Sequence, residues 1–177
     1  FTHYAVDGAS RVQELIRDLL NYSRAQTKEQ ELTETNCEEV VARILENLKL
    51  SIAESKAVVT VDSLPVVVGD RQQLQQVFQN LLINALKFCG PESPQVHIAA
   101  QPKEQEWVFS VRDNGIGLDT RHAERIFVIF QRLHTRREYP GTGIGLAICK
   151  RIIERHGGRI WAEGEVNRGA VFYFTLG

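Results

Sequence analysis

The 177-residue chain contains no methionine, not even at its first position, which is Phe1. It opens in the middle of a helical pattern, so we read it as a segment of a longer protein. No apolar run approaches the roughly 20 residues that a membrane-spanning helix requires, and no signal-peptide pattern stands at the start. A charge imbalance is also missing. The net charge of −1 offers no argument for nucleic acid or for an anionic membrane surface as a partner. Cysteine is scarce: Cys37, Cys89 and Cys149 are far apart and form no CxxC pair, and three cannot all pair internally. We expect free thiols in a reducing compartment, hence a cytoplasmic location without direct membrane contact. The five histidines, His3, His97, His122, His134 and His156, show no metal-ligand spacing. Internal repeats and low-complexity tracts are absent. The hydrophobic share of 43% suits a soluble domain with a real core.

What the chain does have is glycine in two telling places. Residues 113–119 read Asp113-Asn114-Gly115-Ile116-Gly117-Leu118-Asp119, a carboxylate beside a tight turn. Residues 141–146 read Gly141-Thr142-Gly143-Ile144-Gly145-Leu146 and run into the apolar stretch Ala147-Ile148-Cys149-Lys150-Arg151-Ile152-Ile153. A helix start preceded by glycines offers unpaired N–H groups and a positive dipole end, which suits phosphate oxygens. One such turn alone is as often only a turn; two in one small domain suggest a nucleotide site.

The rest of the pattern mixes helices and strands. Residues 3–26 form an amphipathic helix whose seam is Ala5, Ala9, Val12, Ile16, Leu19 and Ser23, widened by Val6, Leu15, Leu20 and Tyr22. At about 1.5 Å per residue it spans roughly 36 Å and needs a partner to cover its face. It can pack on its own domain, but the polar stretch Gln26 to Glu31 favours an inter-chain bundle. A short strand at 32–36 follows. Asn36 with Glu39 makes a capping box for a helix over about 37–50, and Asp70 with Gln73 makes another for a helix to about Phe88, stopped by Gly90-Pro91. Strands are expected at 57–61, 66–68, 94–101, 106–112, 159–163 and 170–176. Short helical turns fill 120–132, a loop covers 133–141, and a helix runs from about 143 to His156 before Gly157-Gly158. Without strict βαβ alternation this argues for an α+β fold, one mixed sheet covered by helices on one face.

The helix after Asp70 carries Asn80, Asn84 and Lys87 at i, i+4 and i+7, one face, while Val77, Leu81 and Leu82 point elsewhere. Asparagine is a poor helix-interior residue, so two at this spacing ask for a reason. The stripe is either a solvated polar face or a functional one, with an amide oxygen for magnesium and an ammonium for phosphate.

Taken together, these stretches resemble the ATP-binding catalytic domain of two-component sensor histidine kinases, in the GHKL superfamily. Residues 76–88 resemble the N box, 113–119 the first glycine box, Ile126-Phe127-Val128-Ile129-Phe130 the F box, and 141–146 the second glycine box, all in the family's order. The resemblance covers residues 32–177 and implies a Bergerat-type two-layer sandwich. Residues 1–30, with Leu19-Leu20-Asn21-Tyr22-Ser23-Arg24, resemble the second helix of the dimerisation and phosphoacceptor bundle. The run from Gln131 to Arg136 with Tyr139-Pro140-Gly141-Thr142 is similar to kinases carrying PAS or phytochrome-type sensors.

The resemblance implies roles. Asp113 accepts a hydrogen bond from the adenine amino group, and Gly115 and Gly117 let the backbone pass close to base and ribose. Asn84 is the magnesium ligand, with Asn80 as a co-ligand or one contact removed. Lys87 and Arg132 reach phosphate oxygens and serve catalysis with Asn80. Gly141, Thr142, Gly143, Gly145 and Leu146 belong to the phosphate-flanking loop. Phe127 and Phe130 pack under that loop, or are plain core aromatics. The family's phosphoacceptor H box, a histidine followed by an acidic residue, Leu-Arg and a proline, has no match: His3 precedes Tyr4-Ala5-Val6-Asp7. The expected activity is transfer of the ATP γ-phosphoryl group to a histidine on an upstream helix, then to a response-regulator receiver domain, within a homodimer. The alternatives are an ATPase or serine kinase of the same superfamily, and a non-catalytic nucleotide-responsive docking module. The first is disfavoured by Asn80, which stands where those ATPases carry a water-activating glutamate.

Overall fold

The computed structural model describes residues 2–27, 31–131, 139 and 141–177, with backbone alone for residues 2–8, 11 and 24–27. The order is α1 (Thr2–Thr27), β1 (Thr33–Asn36), α2 (Cys37–Asn47), α3 (Lys49–Glu54), β2 (Val58–Val61), β3 (Val66–Gly69), α4 (Arg71–Lys87), β4 (Gln95–Lys103) and β5 (Glu106–Asp113). Two 3₁₀ turns, Thr120–His122 and Arg125–Phe127, precede α5 (Gly145–Arg155), β6 (Ile160–Gly164) and β7 (Ala170–Leu176). The main sheet runs β2-β4-β5-β7-β6, and β1 and β3 form a separate antiparallel ribbon. Only β2 and β4 are parallel within the main sheet.

Alternation along the strands decides which face is covered. Ile98, Val111, Phe172 and Ala162 are cross-strand neighbours, as are Ala100, Phe109, Phe174 and Ile160. These rows meet α2, α4 and α5, which contribute Ile44, Leu74, Val77, Phe78, Leu81, Leu82, Ile148, Ile152 and Ile153 to the core. The opposite face holds polar residues and a stacked pair, Trp161 and Tyr173, 5.2 Å between ring centres. This is the α+β two-layer arrangement expected from the sequence, because a sheet with one apolar face needs only one layer of helices.

At the centre three aromatic rings meet. Phe78 stands edge-on to Phe109 at 5.8 Å and to Phe174 at 5.3 Å, while Phe109 and Phe174 stack at 4.9 Å. These separations suit the quadrupoles of the rings, which adds to the area they bury.

Local differences from expectation have physical reasons. The helix expected over 37–50 stops at Asn47, with Leu48 (φ −96°, ψ 5°) closing α2 and opening α3. Neither capping box closes reciprocally. Asn36 Oδ1 accepts from the Glu38 and Glu39 N–H groups, but the Glu39 carboxylate pairs with Arg71 at 3.1 Å. Asp70 Oδ1 accepts from the Gln72 and Gln73 N–H groups, while its own N–H donates to His156 Nε2 at 3.0 Å. The helix expected from about 143 begins at Gly145, since Gly143 has a φ of 76°. Helix α1 spends part of its apolar face at home: Leu15 and Tyr22 pack against the core, and the Arg151 guanidinium lies 4.3 Å from the Tyr22 ring centre. Val12, Ile16, Leu19 and Leu20 remain 50–54% exposed. Among the described residues no helix is long and apolar enough to cross a membrane.

The aromatic centre makes a direct stability test. Phe78→Ala removes a ring with no exposed surface and should cost about 3–5 kcal/mol in urea unfolding, through lost transfer energy and the cavity left behind. A cost below about 1 kcal/mol would show that this cluster does not hold the layers together.

Candidate functional site

Helix α4 is apolar on one face and amide-rich on the other. Leu74, Val77, Phe78, Leu81, Leu82 and Ala85 are buried against the sheet and α5. The opposite face presents Gln76, Asn80, Asn84 and Lys87 to a cleft of about 960 Å³. The far wall is built from Asp113, Ile116, Gly117, Leu118, Ala170 and Phe172, and a third side from Gly141, Thr142, Gly143, Gly145 and Leu146. The cleft is thus lined by ten of the twelve residues singled out above; Gly115 lies behind the wall rather than on it, and Arg132 lies outside the described residues.

Asp113 is the last residue of β5, paired with Ala170 of β7 and Val96 of β4. Its position in the sheet register puts it on the helix-covered face, at the edge where the two layers part. Oδ1 accepts from the Gly115 N–H at 2.8 Å and the Ala170 N–H at 3.3 Å. Oδ2 takes no hydrogen bond among the described residues. Burial pushes this carboxyl above the ordinary carboxylate range, and the two N–H bonds pull it partly back.

The glycines of the first turn answer to the chain itself. A Cβ on Gly115 would lie 2.1 Å from the Phe88 carbonyl oxygen, which accepts from the Ile116 N–H at 3.0 Å. The turn is therefore stitched to the C-terminal end of α4. Gly117 has a φ of 69°, and a Cβ there would lie 1.9 Å from the Glu165 carbonyl oxygen. At both positions the space that a side chain would need is taken by a backbone carbonyl. Asn114 secures the turn from outside, accepting from the Gln95 N–H at 2.8 Å and donating to the Ser93 carbonyl at 3.1 Å. Asp119 is absent from the cleft lining; its bonds to Arg121 hold its carboxyl down at about 2.

The second turn meets α4. Asn80 Nδ2 donates to the Gly145 carbonyl at 3.1 Å, so this amide ties α4 to the start of α5. Helix α5 has Ile144 at its N-cap and no side-chain cap, which leaves its first N–H groups without a side-chain acceptor. Gly141 has a φ of 141°, and a Cβ there would lie 2.6 Å from Lys87 Nζ, which itself sits 4.6 Å from the Phe88 ring centre. At Gly145 a Cβ would make only ordinary contact with the Asn80 amide, at 3.8 Å.

Two expectations separate here. Phe127 is buried, whereas Phe130 is 59% exposed with a φ of 61°, so it packs neither under the loop nor in the core. Its N–H donates to the Gly143 carbonyl at 3.2 Å, a backbone tie between the F box and the second turn. The sequence reading also missed Glu14, Asp18 and Asn21, which line the cleft from α1, and Gln131. Thr142, expected beside phosphate, donates its hydroxyl to Asp18 Oδ2 at 2.5 Å. The thiols of Cys37 and Cys149 are buried, which pushes each up to about 12 and leaves them unreactive.

The comparisons agree with this architecture. Residues 69–177 match the family described as histidine kinase-, DNA gyrase B- and HSP90-like ATPase. The chain belongs to that family, as the ATP-binding catalytic domain of a histidine kinase. Cyanobacterial phytochrome A of Nostoc sp. strain PCC 7120 is 54% identical over 176 residues, 99% of this chain and 23% of that protein. The chain spans about a quarter of the length of this relative and of the phytochrome-like protein Cph1 of Synechocystis sp. strain PCC 6803. Among solved structures, full-length ShkA in complex with AMPPNP has a TM-score of 0.80 at 27% identity, covering 96% of this chain and 36% of that one. The catalytic domain of histidine kinase ThkA has a TM-score of 0.72 at 31% identity, over 83% of this chain and 95% of that one. The same kinase, solved with the response regulator protein TrrA, gives 0.76 at 27% identity, over 97% of this chain and 48% of that one.

The state of Asp113 gives a test independent of ligand. Asp113→Asn keeps an oxygen for the two N–H donors and removes a buried charge. Because the folded state raises this pKa, wild type loses stability as pH climbs from the ordinary carboxylate value, about 4, through the raised one. The nucleotide-free variant should therefore melt above wild type at pH 7. Its advantage should fade as pH falls through the raised pKa and vanish below about 4. A variant less stable than wild type at pH 7 would contradict the assignment.

Proposed function

We propose that this kinase domain binds ATP with magnesium in the cleft and passes the γ-phosphoryl group to a histidine on a bundle helix of the parent protein. The observation that carries this reading is the placement of Asp113 and Asn84 on facing walls of one cleft, with Lys87 beside Gly141 of the second glycine turn. Asp113 Oδ2 accepts from the adenine amino group, an acceptor that guanine, with a carbonyl at that position, cannot satisfy. The uncapped start of α5 receives phosphate oxygens, as helix N-termini do. Lys87 neutralises charge that builds on the transferring group.

Magnesium fits the residues present. Among the described residues no cluster of three or more His, Cys, Asp or Glu could hold a metal alone. Magnesium commonly takes one or two protein oxygens and completes its shell with phosphates and water. Asn84 Oδ1 would be the protein ligand, and the ion would draw charge from the β- and γ-phosphates. In the transfer, the acceptor imidazole nitrogen bonds to γ-phosphorus and the bond from γ-phosphorus to the β,γ-bridging oxygen breaks. ADP leaves, and the imidazole proton passes to a base. Positioning does most of the work.

Hydrolysis is disfavoured as the main reaction. Asn80 holds the position of the water-activating glutamate in related ATPases, and its amide, bonded to the Gly145 carbonyl, cannot take a proton. The half-exposed stripe Val12, Ile16, Leu19 and Leu20 suits a homodimeric bundle. ThkA, solved with a response regulator, supports a receiver aspartate as the next phosphoryl acceptor. The 54% identity to a phytochrome supports a phytochrome-type parent.

In calorimetry the chain should bind ATP more tightly with magnesium than without it, and bind GTP far more weakly. Asn84→Ala should abolish the magnesium dependence while leaving the melting temperature near wild type. With labelled ATP the chain alone should acquire no phosphohistidine, and a supplied H-box helix peptide should acquire acid-labile, base-stable phosphate. Equal affinity for ATP and GTP would sink the adenine assignment. ATP binding without transfer to any supplied acceptor would favour a docking module.

A further inference from the structure

Helix α1 reaches the cleft with a polar face unrelated to its apolar stripe. Glu14, Asp18 and Asn21, spaced by four and three, all line it. Asp18 is half-buried and receives the Thr142 hydroxyl across 124 residues of chain, so the second glycine turn is fastened to α1 at this point. Helix α5, which follows that turn, makes its own contact with α1, the Arg151 guanidinium over the Tyr22 ring. Among the described residues lining the cleft, three carboxylates, Glu14, Asp18 and Asp113, stand against one ammonium, Lys87. A triphosphate entering beside the second turn therefore meets an α1 wall of its own sign. It also meets a Thr142 hydroxyl already committed to Asp18.

We propose that Asp18 is a positioning residue that holds the second glycine turn against α1 through Thr142, and that this docked arrangement opposes triphosphate entry. Helix α1 thereby sets the nucleotide affinity of the cleft. By linkage, a bound triphosphate weakens the α1 contact by the same factor that the contact weakens binding. The inference rests on the reading that ATP phosphates lie at the second turn.

The test is calorimetric titration of wild type, Glu14→Gln, Asp18→Asn and Asp18→Ala with ATP, ADP and adenosine, magnesium present, at low salt. Melting curves first establish that each variant is folded. Glu14→Gln and Asp18→Asn should each tighten ATP about three- to tenfold, the scale of one like charge removed from a partly screened site. Asp18→Ala should tighten it at least as much as Asp18→Asn, because the Asn oxygen can still accept from Thr142 and the Ala methyl cannot. The gain should be smaller for ADP and absent for adenosine, a grading by phosphate count that a merely structural role would not produce. Affinities within twofold of wild type in all three variants, an equal gain for adenosine, or weaker ATP binding would each overturn the inference alone. Failure of wild type to bind ATP would overturn the functional reading and this inference with it.

Discussion

The structure depends on a division of labour along one helix. Every turn of α4 commits its inner face to the sheet, and the aromatic contact of Phe78 with Phe109 and Phe174 fixes the rotation of the helix about its axis. That rotation leaves Asn80, Asn84 and Lys87 no place but the cleft. A helix turned by one residue, roughly 100°, would bury amides and expose leucines. The cost of burying an unpaired amide is a few kcal/mol, so the packing that stabilises the domain also orients its functional face.

The two glycine turns are then attached at two points along α4. The first is held to the end of α4 by the bond from the Ile116 N–H to the Phe88 carbonyl, and the second to its middle by Asn80 and the Gly145 carbonyl. Asp113 sits where the first attachment meets the sheet edge, and its backbone donors fix one carboxylate oxygen while the other stays without a partner among the described residues. The domain accepts a buried charge at this point that a purely structural sequence would avoid. Such a departure from the cheapest packing is what a binding site requires.

Much of this was legible in the sequence because it is local. The turn at 113–119, the amide stripe on α4 and the stop at the end of α5 are all set by neighbours within a few residues, where spacing maps directly onto geometry. The long-range pairings were not. Nothing near Gly117 in sequence announces that Glu165 will crowd it, and nothing near Asp18 announces Thr142. The heptad pattern of α1 identifies its apolar seam but not which loop its polar face meets. Phe130 looks apolar in sequence and still lies exposed, because a backbone tie to Gly143 sets it in a left-handed conformation. The break at Leu48 has no Gly or Pro to mark it.

The central claim is that the free oxygen of Asp113 reads the amino group of adenine. Its most direct test compares ATP with purine riboside triphosphate, which lacks that amino group, in wild type and in Asp113→Asn. Wild type should bind the purine analogue about tenfold more weakly, the scale of one lost hydrogen bond to a charged acceptor. Asp113→Asn should bind the two alike, or favour the analogue, since an amide N–H then faces the amino group. The same loss in both proteins would mean that the base is recognised elsewhere, and would contradict the account.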